Sequence, residues 1–217
     1  MNRLKSAAAV IALLAAAGAQ ATVDDTVQLR YSGNGPVLPT WISINDVAKN
    51  IYVGSYNIQV EGTPSFAAYC VDPFQSSEGS FQSYDRWPLA ADHLPADGAR
   101  RFTNVNKLFN NAYAGSLANG TKAAGFHLAL LEIWQDDGIL TSGTIKTIDA
   151  SSDAGMIAEA TFLLNSLASW NAGAPTLTYY SSNSYQDYIA GVPEPEGYGL
   201  LLAGLGMLGV IVRRRLA

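Results

Sequence analysis

The spacing of apolar residues changes twice along the chain, and this change restricts the folds that the chain can form. From residue 26 to residue 71, short segments alternate apolar and polar residues, and Gly, Pro, Asn or Asp separate them. Alternation of this kind is typical of β-strands with one buried face. The strands predicted from this pattern span residues 26–31, 41–44, 50–53, 56–60 and 65–71.

Between residues 95 and 170 the apolar residues instead recur every three or four positions, which predicts helices. The predicted helices span residues 95–117, 121–135 and 152–170, and two further strands are expected at 177–180 and 185–189. Residues 76–97 are rich in Ser, Asp, Gly and Pro and are predicted to be a loop. This order predicts an α+β fold, with a barrel-like antiparallel sheet in the N-terminal part and a cluster of about three helices.

Composition excludes several classes of function. Charged residues make up only 14% of the chain and its net charge is -5, so neither bulk disorder nor a basic nucleic-acid-binding face is expected. One cysteine and two histidines exclude an intramolecular disulfide framework and a metal centre of several Cys or His ligands. We therefore expect no metal, no cofactor and no nucleic-acid partner.

The N-terminus has the three parts of a secretory signal peptide. Arg3 and Lys5 are followed by a short apolar stretch, and Ala19 and Ala21 form the small-x-small pattern of a cleavage site. We predict a signal peptide at residues 1–21, removed by signal peptidase, and an exported domain at residues 22–191. An uncleaved N-terminal anchor is the alternative.

The C-terminus, residues 192–217, has a second tripartite pattern. It consists of Val192, Pro193, Glu194 and Pro195, an apolar segment at 198–212, and a basic cluster of Arg213, Arg214 and Arg215. The apolar segment predicts a transmembrane helix, and the basic cluster is expected to stay on the cytoplasmic side. The prolines keep the preceding chain extended and accessible to a protease.

This C-terminal pattern resembles the PEP-CTERM sorting signal of Gram-negative bacteria. The resemblance implies that an exosortase recognises the tail and removes it from an inner-membrane-anchored precursor. It also implies a final place at the cell surface or outside the cell, among proteins linked to exopolysaccharide and biofilm. The alternative is an ordinary C-terminal anchor that follows a Pro-rich linker.

Two segments of the predicted domain resemble the thioester domains of bacterial surface adhesins and a related pattern in PEP-CTERM proteins. Cys70 ends a predicted strand, and Ala129 and Leu130 lie on the second predicted helix. In the adhesins the cysteine and a glutamine form an internal thioester, which acylates amines on a target surface. Here His127 occupies the glutamine position and Leu131 the tryptophan position, so the resemblance favours the fold but not the covalent chemistry.

The leading interpretation is a non-enzymatic surface or matrix protein, and three alternatives stay open. Cys70 and His127 are candidates for a catalytic thiol–imidazole pair, or Cys70 is a thioester-type adhesive residue. Cys70 is otherwise a small buried apolar residue. Finally, an aromatic face for stacking on sugar rings would make the protein a carbohydrate-binding module; its candidates are Tyr84, Trp87, Tyr179, Tyr180, Tyr185 and Tyr188.

Overall fold

The computed structural model describes residues 25–148 and 151–191, which form seven strands and three helices. The strands are β1 (Asp25–Ile44), β2 (Val47–Val60), β3 (Phe66–Cys70), β4 (Gln82–Pro88), β5 (Ile145–Thr147), β6 (Leu177–Ser181) and β7 (Tyr188–Gly191), and the helices are α1 (Gly98–Ser116), α2 (Gly120–Gln135) and α3 (Ala154–Ser166). The predicted signal peptide, Pro-Glu-Pro motif, transmembrane helix and Arg cluster lie outside the described residues. None of the three helices is long and apolar enough to cross a membrane.

The strands form one antiparallel sheet that closes on itself. Neighbouring strands follow the order β2–β3–β7–β6–β4–β1–β5, and β1 also pairs with β2. Six strands therefore form a ring, and β5 extends one end of β1. The α+β class is confirmed, although the ring needs the last two strands as well as the N-terminal ones.

The first strand holds the ring together because it is long enough to pair with three others. It spans 20 residues, contacts β4 through its first residues and β5 through its last, and pairs with β2 between them. Register shifts next to Gly33 and between Asn34 and Val37 mark bulges. Bulges bend a strand and increase its twist, which allows one strand to follow a curved sheet.

The side chains form two apolar clusters, one inside the ring and one between the ring and the helices. Successive residues of β3 illustrate the division: Ala68 and Cys70 belong to the inner cluster, whereas Tyr69 and Val71 belong to the helix-facing cluster. This alternation follows from the two-residue period of a strand. It places the side chain of Cys70 inside the ring.

Helix α2 lies at the centre of the molecule. Its residues from 123 to 134 are all buried, and it packs against α1, α3, β1 and β2. Asn119 caps it by accepting a hydrogen bond from the backbone N–H of Lys122 at 3.0 Å. A helix that is apolar on all sides must be covered on all sides, and here the sheet and two helices cover it.

The structure corrects several predicted boundaries. Strand β4 lies inside the segment that was predicted to be a loop, and β5 was not predicted. Helix α3 ends at Ser166, before the expected end at residue 170, and β7 begins at Tyr188 instead of residue 185. Strand β4 was missed because its sequence is polar and its pairing partners, β1 and β6, are distant in sequence.

Candidate functional site

The structure brings Cys70 and His127 together, as the sequence predicted. Cys70 ends β3 opposite Tyr188 of β7, and its side chain is 2% exposed. His127 lies on the buried face of α2 that meets the sheet. The Sγ atom of Cys70 and the Nε2 atom of His127 are 3.1 Å apart.

The hydrogen bonds of His127 determine which of its nitrogens carries the proton. The backbone N–H of Gly54 donates to Nδ1 at 3.0 Å, so Nδ1 is unprotonated. The neutral ring then carries its proton on Nε2, which lies 3.0 Å from the backbone carbonyl oxygen of Cys70 and donates to it. The nitrogen that faces the thiol is therefore a donor and cannot accept the thiol proton.

Burial keeps both groups neutral. It lowers the pKa of His127 to about 4, because a charged imidazole would lose its hydration. Burial also raises the pKa of the Cys70 thiol far above its usual range, and the negative charges of Asp72 and Asp187 add to this effect. An activated cysteine needs the opposite arrangement, a thiolate stabilised by a nearby positive charge.

A third side chain, Gln186, reaches the same thiol, and the sequence analysis did not select it. Gln186 precedes Tyr188 by two residues, so both point inside the ring, where Cys70 lies. Its side-chain amide is within hydrogen-bonding reach of the thiol and lowers the pKa of Cys70. Gln186 is 9% exposed, and its Nε2 donates to the carbonyl oxygen of Asp72 at 3.3 Å.

The segment between β3 and β4 encloses the Gln186 side chain. The hydroxyl of Ser77 donates to Oε1 of Gln186 at 2.6 Å, and the hydroxyl of Tyr188 donates to Oγ of Ser77 at 2.7 Å. The backbone N–H of Gln186 donates to the carbonyl oxygen of Ser76 at 3.2 Å. The amide is thus held by both ends, with its oxygen towards Ser77 and its nitrogen towards Asp72.

A cysteine thiol beside a primary amide is the pair of groups from which an internal thioester forms. The sequence analysis looked for the glutamine on the helix and found His127 there. The available signal was the alternation of Gln186, Tyr188 and Ala190, which places one polar residue on an otherwise apolar, inward face. A lone polar side chain on such a face needs a specific partner.

The aromatic residues proposed for sugar stacking do not form one exposed face. Tyr84, Tyr180 and Tyr188 are buried in the inner cluster. The hydroxyl of Tyr179 donates to the carboxylate of Asp187 at 2.6 Å. The structure therefore does not support these residues as a stacking surface.

Among the described residues, no group of three or more His, Cys, Asp or Glu side chains lies close enough to hold a metal ion. The carboxylates of Asp136 and Asp137 instead accept hydrogen bonds from the backbone N–H groups of Ile145 and Ile139, both within the following loop.

Comparison with protein families explains the C-terminal segment. Residues 191–215 match the family model of the PEP-CTERM protein-sorting motif. The chain is a PEP-CTERM protein. The match includes the Pro-Glu-Pro motif and the Arg cluster that the sequence analysis selected, and it means that this PEP-CTERM protein is exported, sorted to the cell envelope and processed by an exosortase.

The matched segment begins at the last residue of β7, so it does not include Cys70, His127 or Gln186. No curated protein and no solved structure matches the chain. The thioester-domain resemblance of the body of this PEP-CTERM protein therefore remains a prediction.

Proposed function

We propose that this protein is a non-enzymatic surface or extracellular-matrix component of a Gram-negative bacterium and that it associates with exopolysaccharide. The sorting motif at residues 191–215 is the observation that carries the proposal. The last strand of the ring ends at Gly191, so a cut at the Pro-Glu-Pro motif leaves every strand of the ring in the exported product.

The state of the Cys70–His127 pair supports a non-enzymatic role. A neutral thiol and a neutral imidazole that already donates from Nε2 lack the proton acceptor of a cysteine hydrolase. Cys70 is also 2% exposed, which leaves no access for a substrate.

Intact mass of the protein from its native host tests the export part. We expect a chain from about Thr22 to the Pro193–Pro195 motif, found outside the inner membrane. A control variant with Ala at Pro193, Glu194 and Pro195 should keep its tail. A wild-type chain that still contains Arg213–Arg215 in the inner membrane would overturn the proposal.

A host strain that lacks exopolysaccharide tests the association. We expect the processed protein to be retained with wild-type cells and their matrix, and to be released into the medium when the polymer is missing. Equal retention in both strains would contradict a polysaccharide partner.

A second candidate function is covalent attachment through an internal thioester between Cys70 and Gln186. One specific observation favours it, namely the side-chain amide of Gln186 against the buried thiol. In forming the thioester, Sγ bonds to the amide carbon, the bond from that carbon to Nε2 breaks, and the thiol proton leaves with the nitrogen as ammonia. Burial of both residues would protect the product from water.

Intact mass under denaturing conditions also tests this second candidate. We expect the wild-type chain to be lighter than its sequence by one ammonia, and the difference to vanish in Cys70→Ala and in Gln186→Ala. Methylamine, a small amine nucleophile, should add to the wild-type chain at Gln186 and release the thiol. A wild-type chain of full mass with a free thiol after unfolding would exclude the thioester.

A further inference from the structure

Attack of a thiol on an amide is slow unless the negative charge that develops on the carbonyl oxygen is stabilised. Hydrogen-bond donors that already point at this oxygen stabilise the transition state more than the ground state. In a site without water such donors are especially effective. The residues that contact Oε1 of Gln186 therefore decide whether Cys70 can react with it.

The oxygen of Gln186 receives a short hydrogen bond at the end of a directional chain. Oε1 has no proton, so the Ser77 hydroxyl must donate to it across the 2.6 Å contact. The Tyr188 hydroxyl donates to Oγ of Ser77 at 2.7 Å, which leaves the Ser77 proton free for Gln186. Successive hydrogen bonds of this kind strengthen one another.

The orientation of the amide is determined by its other end. The nitrogen of Gln186 faces the carbonyl oxygen of Asp72, which is only an acceptor. An amide turned by half a rotation would place two oxygens against each other and lose this hydrogen bond. The oxygen of Gln186 therefore faces Ser77, and the potential leaving nitrogen lies on the side of Asp72.

We propose that Ser77 is a catalytic residue for thioester formation, because its hydroxyl stabilises the charge on Oε1 of Gln186, and that Tyr188 positions Ser77. This inference rests on the internal thioester proposed above. It names residues in the β3–β4 segment and in β7, neither of which carries the resemblance to the adhesins.

The step balances without a further reactant. Sγ of Cys70 attacks the amide carbon of Gln186, and the charge passes to Oε1, where Ser77 stabilises it. The thiol proton moves to Nε2 of Gln186, the carbon–nitrogen bond breaks, and ammonia leaves. His127 does not take the proton, because its Nε2 already carries one, and it holds the backbone carbonyl of Cys70 in place.

The rate at which the chain loses ammonia after synthesis tests the inference. We expect Ser77→Ala to slow the loss by about 100-fold or more, in line with the removal of one donor from an oxyanion site. Ser77→Thr keeps the hydroxyl and should restore most of the rate. Ser80→Ala, an exposed serine of the same segment, is the matched control and should react like the wild type.

A double-mutant cycle separates positioning from loss of structure. Tyr188→Phe keeps the ring but removes its hydroxyl, and we expect it to slow the reaction less than Ser77→Ala does. In the Ser77→Ala background the same change should have no further effect, because Tyr188 acts through Ser77. Thermal unfolding of each variant shows whether its fold is kept. If Ser77→Ala does not fold, the comparison of Tyr188→Phe with the wild type decides.

The outcomes distinguish this inference from the function on which it rests. A wild-type chain that never loses ammonia would overturn the thioester itself. A wild-type chain that forms the thioester while folded Ser77→Ala and Tyr188→Phe form it at the same rate would overturn only the roles of Ser77 and Tyr188.

Discussion

At the scale of single residues, His127 connects three elements. It lies on α2, accepts a hydrogen bond from Gly54 of β2 and donates one to the carbonyl oxygen of Cys70, the last residue of β3. Its ring also contacts Tyr56 edge-on, with the ring centres 5.9 Å apart. A neutral imidazole satisfies both backbone groups, whereas a charged one would have to break the bond from Gly54.

His127 should make the protein sensitive to acid. The pKa of His127 is about 4 in the folded chain and 6.5 for an unperturbed histidine, so between these values the unfolded chain binds a proton that the folded chain excludes. The free energy of unfolding should therefore fall as the pH falls from 6.5 to 4. Denaturant unfolding across this range should show a steeper fall in the wild type than in His127→Gln. Parallel profiles would contradict the prediction.

Glu132 is a buried carboxyl group without a hydrogen-bond partner in the described part of the chain. It lies near the end of α2, beside a cavity of about 90 Å³ that Arg100 also lines. Burial raises its pKa to about 8, and the negative charges of Asp136 and Asp137 contribute to the increase. The folded chain therefore keeps Glu132 protonated at neutral pH.

This raised pKa predicts that Glu132 weakens the fold as the pH rises. Above an unfolded pKa of 4.5 the unfolded chain has released the proton that the folded chain retains up to about pH 8, so stability falls across this range. Glu132→Gln should remove the effect and stabilise the protein by about 1–3 kcal/mol above pH 8. Unfolding by urea at pH 5 and pH 9 measures both. A variant no more stable than the wild type at pH 9 would contradict the prediction.

At the scale of elements, the packing of α2 against α3 depends on Gly125. A Cβ atom added at Gly125 would lie 2.4 Å from Cβ of Glu159 and 3.1 Å from the backbone nitrogen of Ala160. A separation this short forces the two helices apart, because the backbone of α3 cannot move without disturbing its other contacts.

Two matched substitutions test this packing. Gly125→Ala should destabilise the protein by about 1–3 kcal/mol, since overpacking exceeds the gain in helix propensity. Gly115→Ala lies in α1, where an added Cβ meets nothing within 4 Å, and it should stabilise by up to about 1 kcal/mol. Thermal unfolding of the two variants gives the comparison. Equal effects would show that the α2–α3 contact is not tight.

Elements with a clear apolar period were predicted well, and the others were not. Helix α2 has its predicted end at Gln135 and begins one residue earlier than predicted, because Asn119 and the apolar run mark it locally. Strands β4 and β5 have no such local signal. They form because β1 offers them unpaired backbone groups, and those pairings join residues that are far apart in sequence.

At the scale of the whole molecule, the folded body and the sorting signal are consecutive. The ring is completed by β7, which ends at Gly191, and the sorting motif covers residues 191–215. All the strand pairings of the ring therefore lie before the Pro-Glu-Pro motif.

Removal of the tail should consequently leave the body stable. We expect the melting temperatures of the intact chain in detergent and of the chain ending near residue 195, in the same detergent, to agree within about 3 °C, a shift that corresponds to roughly 1 kcal/mol for a chain of this size. Circular dichroism at the two stages measures it. A much lower melting temperature after cleavage would mean that the tail is part of the fold.

The sequence by itself determined the destination of the protein and its fold class. The sorting motif was recognisable because a protease reads it as a linear segment, so the order of its residues carries the information. The α+β class followed from the apolar period, which is likewise a local property.

Only the tertiary structure decided what surrounds Cys70. It placed Gln186 and Ser77 beside the thiol and showed that His127 presents a proton to it. These residues lie on β7, on the β3–β4 segment and on α2, and no local pattern links them. Their proximity results from ring closure and from the burial of α2, which depend on packing and pairing between residues distant in sequence.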